Sequence, residues 1–257
     1  MPSPTERFSS RANAYVEHRP SYPEGAIDWL AERCTYRPES VVADVGSGTG
    51  ISSRLFLRRG NRVYGVEPNR AMREAAEHEL GADPKFVSVH GTAEATTLPD
   101  GSVDFVVAAQ AFHWFDGAVC RREFRRILQQ GGWVVVLFNE RLPGVSPFMQ
   151  GYERLLRAHS EEYGRVPHLD RVRPEVIDSF FAPSAVLATS LANRQVLDFG
   201  GLSGRVRSTS YLPEPEAPGY APMMTDLAKL FDATAVDGKV ALEYATRVYT
   251  GRLDEPL

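Results

Sequence analysis

Two hydrophobic rhythms share this chain. Mostly apolar runs at 41–45, 62–66, 85–89, 105–109 and 133–139 are short, the pattern of strands buried on both faces. Between them, 23–34, 51–59 and 118–128 repeat apolar residues at the spacing of amphipathic helices. Strand and helix alternating in this way predict a Rossmann-like, doubly wound α/β fold, its parallel sheet wrapped on both faces and its ligand at the carboxyl ends of the strands.

Beyond residue 139 the alternation breaks. The stretch 144–184 reads as helical, with helices near 148–163 and 174–181, and is expected to hang over the ligand mouth as a cap. A strand-like run follows at 186–199, then a turn and last helix at 214–235, where Leu227, Leu230 and Phe231 keep helical spacing. Finally 239–252 alternates as a strand, Val240, Leu242 and Tyr244 against Ala241, Glu243 and Ala245. Pro213, Pro215, Pro218 and Pro222 mark a loop, so 1–257 is read as a single domain.

The first strand runs straight into Gly46, Gly48 and Gly50, with a helical pattern from Ile51. Glycines allow a tight turn and let a ligand lie against bare main chain, facing the N–H groups that open the next helix. A nucleotide-like cofactor is implied. Nicotinamide and flavin sites use G-x-G-x-x-G, whereas here the spacing is G-x-G-x-G and Ile51 stands where the last glycine would be. Asp44, just ahead, would repel a pyrophosphate but suits a ligand carrying an ammonium group, as S-adenosylmethionine does. The second strand ends in Glu67, about twenty residues past the loop, where a carboxylate can take both hydroxyls of a ribose.

At these residues the chain resembles the class I S-adenosylmethionine-dependent methyltransferases, whose motif (D/E)-x-G-x-G-x-G is matched by Asp44, Gly46, Gly48 and Gly50. Leu98 to Asp104 leading into the fourth strand, and Gln130-Gly131-Gly132-Trp133, similar to an L-x-P-G-G turn with Gln130 in place of proline, extend the likeness to the small-molecule, type 11 or trans-aconitate methyltransferase-like branch. That resemblance implies a seven-stranded, mostly parallel sheet with its last strand antiparallel beside the fifth. It also implies a cofactor site built from Asp44, Gly46, Ser47, Gly48 and Gly50, from Glu67, Pro68, Asn69 and Met72, from Thr92, Ala93 and Glu94 at the adenine edge, and from Gln110. Residues 1–22 resemble the family's flap, which would bring Tyr15 and Arg19 near the methionine portion, where Arg19 can hold a carboxylate of cofactor or acceptor.

Bulk properties narrow the partners. With 257 residues, 43% of them hydrophobic, one large core is affordable, and Cys34 and Cys120 suggest neither a disulfide framework nor a metal site. The start has no basic-then-apolar signal and no apolar run nears the roughly eighteen residues of a membrane span, so a cytoplasmic protein is expected. A net charge of −4 offers no drive toward nucleic acid, and Arg121, Arg122, Arg125 and Arg126 read as a solvated helix face. Gln110-Ala111-Phe112-His113 stands where DNA amino-methyltransferases carry Asn/Asp-Pro-Pro-Tyr. The expected partner is a small-molecule methyl acceptor, with the chain a monomer or homodimer.

A sulfonium already activates its methyl group, so the protein has to align the acceptor, exclude water and, where needed, remove a proton. A carboxylate acceptor needs no base; a phenol, amine or carbon acid does. His113, at the carboxyl end of the fourth strand, is the best-placed titratable group for that, the alternative being a packing role. Tyr15 can stack or hydrogen-bond, and Arg141 could face an acidic acceptor, while His18, His78, His90, His159 and His168 are weaker candidates. Trp29, Trp114 and Trp133 read as core or pocket wall. Two rival readings stand beside methyl transfer: a nicotinamide-dependent reductase, disfavoured by Ile51 and Asp44, and a protein that binds the sulfonium cofactor without transferring its methyl.

Overall fold

The computed structural model describes residues 18–160, 163 and 172–253. Its centre is a seven-stranded sheet: β1 (Val41–Val45), β2 (Arg62–Val66), β3 (Phe86–Val89), β4 (Val103–Ala109), β5 (Leu128–Arg141), β6 (Leu187–Leu197) and β7 (Val240–Gly251). They lie in the order β3-β2-β1-β4-β5-β7-β6. β1 to β5 are parallel, and β7 runs antiparallel between β5 and β6, pairing Val134 with Gly251 and Arg141 with Tyr244. This is the Rossmann-like arrangement the alternating pattern predicts, with the antiparallel strand where the resemblance put it.

Successive residues of the central strands face opposite sides, and helices cover both. Ala43, Val45, Val106, Val134 and Val136 pack with Phe124 and Ile127 of α4 (Gly117–Ile127) and Ile177 and Phe181 of α6 (Pro174–Phe181). On the other face, Val42, Phe105, Val107 and Val135 meet Ile27 and Leu30 of α1 (Gly25–Arg33) and Leu55 and Phe56 of α2 (Ile51–Arg58). Leu80 of α3 (Arg70–Leu80) joins them. With both faces shielded, the strands there are mostly apolar, Asp44 of β1 being a buried exception.

A third apolar cluster joins α5 (Pro147–His159), α7 (Phe199–Arg207) and α8 (Tyr220–Thr234) to β7, through Tyr152, Leu156, Leu202, Val206, Met223, Leu227, Leu242 and Tyr244. The segment 144–184 therefore divides. α5 belongs to this helical layer, whereas α6 lies on the sheet beside α4, where Arg121 Nε donates to the Phe180 carbonyl at 2.9 Å. α7 has no counterpart in the sequence reading, which carried the strand through Phe199; Asp198 caps it by accepting from Gly201 N at 2.8 Å. Among the described residues, no helix is long and apolar enough to cross a membrane.

Candidate active site

The carboxyl ends of β1, β2, β4 and β5 and the amino-terminal half of the antiparallel β7, together with α7 and residues 19–22, enclose a cavity of about 310 Å³, within the range of small-molecule sites. Its first wall is the loop after β1. Gly46 and Ser47 donate to the Val66 carbonyl at 2.8 and 3.2 Å, and Gly50 N closes a turn on Ser47 O at 2.9 Å. All three glycines have positive φ, yet their surroundings differ. A Cβ on Gly48 would meet nothing within 4 Å, so this glycine alone of the three leaves open space. A Cβ on Gly46 would strike the Ala111 methyl at 2.6 Å, and one on Gly50 the Leu80 Cδ1 at 2.5 Å. Gly50 is absent from the cavity wall: it lets α2 pack against α3 and does not offer main chain to a ligand.

Glu67 faces the cavity from the end of β2 while only 8% exposed. Its Oε2 accepts from Gly48 N at 2.9 Å and its Oε1 from Asn69 N at 2.8 Å. Burial pushes its carboxyl above the usual value, and the two N–H bonds oppose that. Each oxygen keeps a further lone pair for a ligand hydroxyl. Asn69 also caps α3 by accepting from Met72 N at 3.1 Å, so Glu67, Pro68, Asn69 and Met72 reach the wall as one braced unit. Thr92, Ala93 and Glu94 line it from the turn after β3.

Asp44 departs from its expected place. Fully buried under the loop, it does not line the cavity; its Oδ2 accepts from Ser52 and Ser53 Oγ at 2.7 and 2.6 Å, and among the described residues its Oδ1 has no hydrogen-bond partner. Burial raises its pKa to about 6, against those serine bonds. Its contact is with the first turn of α2. Gln110, where β4 ends, does line the cavity and holds φ at 56°, a left-handed value uncommon outside glycine, with Oε1 accepting from Asn139 N at 2.8 Å.

His113 is likewise displaced. The short 3-10 turn Phe112–Trp114 rotates successive side chains apart, so that Ala111, Trp114 and Phe115 face the cavity. The His113 ring is buried edge-on to Phe138, with centroids 5.9 Å apart. Arg141 is also behind the wall, its guanidinium donating to the hydroxyls of Tyr163 at 2.9 Å and Tyr211 at 3.2 Å. His159 pairs with Asp226 at 3.0 Å. Tyr15 and His168 lie outside the described residues.

Arg19, Pro20 and Tyr22 line the cavity as a strap tied down on its far side. The His18 carbonyl accepts from Gln195 Nε2 at 2.9 Å, the Ser21 carbonyl from Asn193 Nδ2 at 2.8 Å, and Arg19 Nη2 donates to Ser208 O at 2.7 Å. Among the wall residues that the sequence does not assign to the site are Arg205 of α7 and Tyr244 of β7. No motif singles out either one, and α7 itself is too glycine-rich to read as a helix.

The sheet order and a cavity at the strand ends define the class I methyltransferase fold. Residues 43–136 match the model of the type 11 methyltransferase domain. It is 40% identical over 134 residues to an uncharacterized methyltransferase of Mycobacterium tuberculosis, covering 52% of each chain. A methyltransferase-like protein of Schizosaccharomyces pombe is 27% identical over 156 residues, covering 60% of this chain and 59% of its own. The chain spans about half the length of the curated relatives it matches. In three dimensions it is similar to a candidate type II methyltransferase from Anaeromyxobacter dehalogenans, with a TM-score of 0.70, 24% identity, and 91% of this chain and 98% of that one covered.

Proposed function

We propose that this protein is an S-adenosylmethionine-dependent methyltransferase that moves a methyl group to a small-molecule acceptor by in-line displacement. The observation that carries the reading is Glu67: a buried carboxylate turned into the cavity, held by Gly48 N–H and Asn69 N–H, beside the one loop glycine with open space. An adenosine fits these groups. Glu67 would take the ribose hydroxyls, Ala93 and Met72 would supply apolar contact to the base, and Thr92 and Glu94 its polar edge. When bound, the cofactor supplies a methyl already activated on its sulfonium.

What remains for the chain is positioning. Arg19, Pro20 and Tyr22 border the cavity and would help to exclude water, and Gln110 fixes the mouth of β4 through Asn139. Asp44 acts from below, bracing the turn into α2 through Ser52 and Ser53. The buried position of His113 favours an acceptor that reacts without an imidazole base, a carboxylate or a free lone pair. The test is calorimetry with S-adenosylhomocysteine and with NADH, followed by transfer from methyl-labelled cofactor to a metabolite panel. Binding of S-adenosylhomocysteine and labelling of one acceptor are expected. Binding of NADH alone refutes the assignment, and binding without any labelled product favours a cofactor-binding protein that does not methylate.

A further inference from the structure

The cavity has two electrostatic ends. At the β2 and β3 side its charged groups are Glu67 and Glu94, and at the β7 and α7 side they are Arg19 and Arg205. Arg205 is 3% exposed and still lines the cavity. Its Nη1 donates to Thr209 Oγ1 at 2.9 Å and Ser208 Oγ at 3.5 Å, and among the described residues its Nε has no acceptor. Among the described residues it has no carboxylate partner. Its polar surroundings include the buried hydroxyls of Tyr244 and Tyr152, both without a hydrogen-bond partner among the described residues, the Tyr211 hydroxyl, and a second buried guanidinium, Arg141, which opposes it. An acid of this network, Glu153, is engaged elsewhere: it accepts from Tyr163 Oη at 2.6 Å and pairs with Arg157 at 2.8 Å.

A buried guanidinium without a counter-charge is costly, because desolvation goes uncompensated, and a ligand anion would remove that cost. Arg19 is tied to the same Ser208 that Arg205 touches, so both cations converge on one end of the cavity. We propose that Arg205, with Arg19 and the Tyr244 hydroxyl, binds a carboxylate of the methyl acceptor, which makes the acceptor an organic acid. This rests on the methyltransferase reading above. A carboxylate could also come from the amino-acid end of the cofactor, but the strand order favours the acceptor. The strand order places β7 four spacings from β2, roughly 19 Å away, while Glu67 and the loop anchor the nucleoside at β1 and β2.

The test uses the full chain loaded with S-adenosylhomocysteine, titrated by calorimetry with butyrate, phenylacetate, glutarate and citrate and with the corresponding primary amides. At least one acid is expected to bind about tenfold or more tightly than its amide, a planar fork recognising a carboxylate. Arg205→Met should abolish that preference and leave S-adenosylhomocysteine affinity within about threefold, with Arg205→Lys recovering it in part. Acids binding no better than amides, or no acid binding at all, would overturn the proposal. So would an Arg205→Met protein that keeps the acid preference and loses S-adenosylhomocysteine, since the carboxylate held would then be the cofactor's own. Should Arg205→Met not fold, the wild-type comparison of acids with amides and the Tyr244→Phe variant, expected to weaken the same acid, carry the test. Failure of the wild type to bind S-adenosylhomocysteine would instead bring down the methyltransferase reading on which the proposal stands.

Discussion

Replacing Asp44 by Asn should stabilise the cofactor-free protein at neutral pH. The carboxyl is fully buried, one oxygen bonded by Ser52 and Ser53 and the other by no described residue, and its pKa rises from an ordinary 3.8 to about 6. The folded state thus holds its proton more tightly than the unfolded chain. Wild-type stability is unaffected by this group below about pH 4, falls as pH rises toward 6, and stays lowered above it. At about 1.4 kcal/mol per pH unit, the loss is about 3 kcal/mol by pH 7. Asparagine does not titrate, so the stability difference between variant and wild type should grow by that amount between roughly pH 4 and pH 7. Taking the change in the difference cancels the other titrating groups and any fixed cost of the amide. Urea unfolding followed by tryptophan fluorescence across this range measures it. A difference constant to within about 0.5 kcal/mol over the whole window would refute the account of Asp44 as a strained, buried carboxylate.

Three further outcomes are expected. Glu67→Ala should weaken S-adenosylhomocysteine by about 1–3 kcal/mol in calorimetry while leaving the thermal midpoint nearly unchanged, and equal affinity would remove Glu67 from the ribose. The loop glycines should separate: Gly50→Ala forces a methyl onto Leu80 and costs about 1–3 kcal/mol more stability than Gly48→Ala, whereas Gly48→Val abolishes cofactor binding by filling the open side, and the reverse order would reverse their roles. In Gly204→Ala the added methyl would overlap the His18 ring, so backbone amide exchange at residues 18–22 should speed up about tenfold, and unchanged exchange would mean that the strap does not depend on that contact.

The sheet was legible because doubly covered strands are mostly apolar, and the loop was legible because its glycines sit at the end of such a strand. Burial depth behind the loop was not. Spacing places Asp44 and Gly50 in the motif but cannot say that one is sealed under it and the other pressed on Leu80. Nor does a linear run say which residues of 111–115 a 3-10 turn aims at the cavity, and so His113 looked better placed than it is. Arg205 was hidden for a different reason: its helix forms on tertiary contacts through Leu202 and Val206, against the preference of its glycines.

The position of β7 has a consequence for how the molecule is made. A chain leaving the ribosome can assemble β1 to β5 in the order they emerge, but β6 has no neighbour until β7 is synthesised and slides between them. Until then the rim of β5 is a row of unsatisfied amides and carbonyls, open to any passing strand. Translation stalled before Val240 would yield a nascent intermediate with a finished nucleoside cradle, no Tyr244 wall, and a sticky border that recruits chaperones or aggregates.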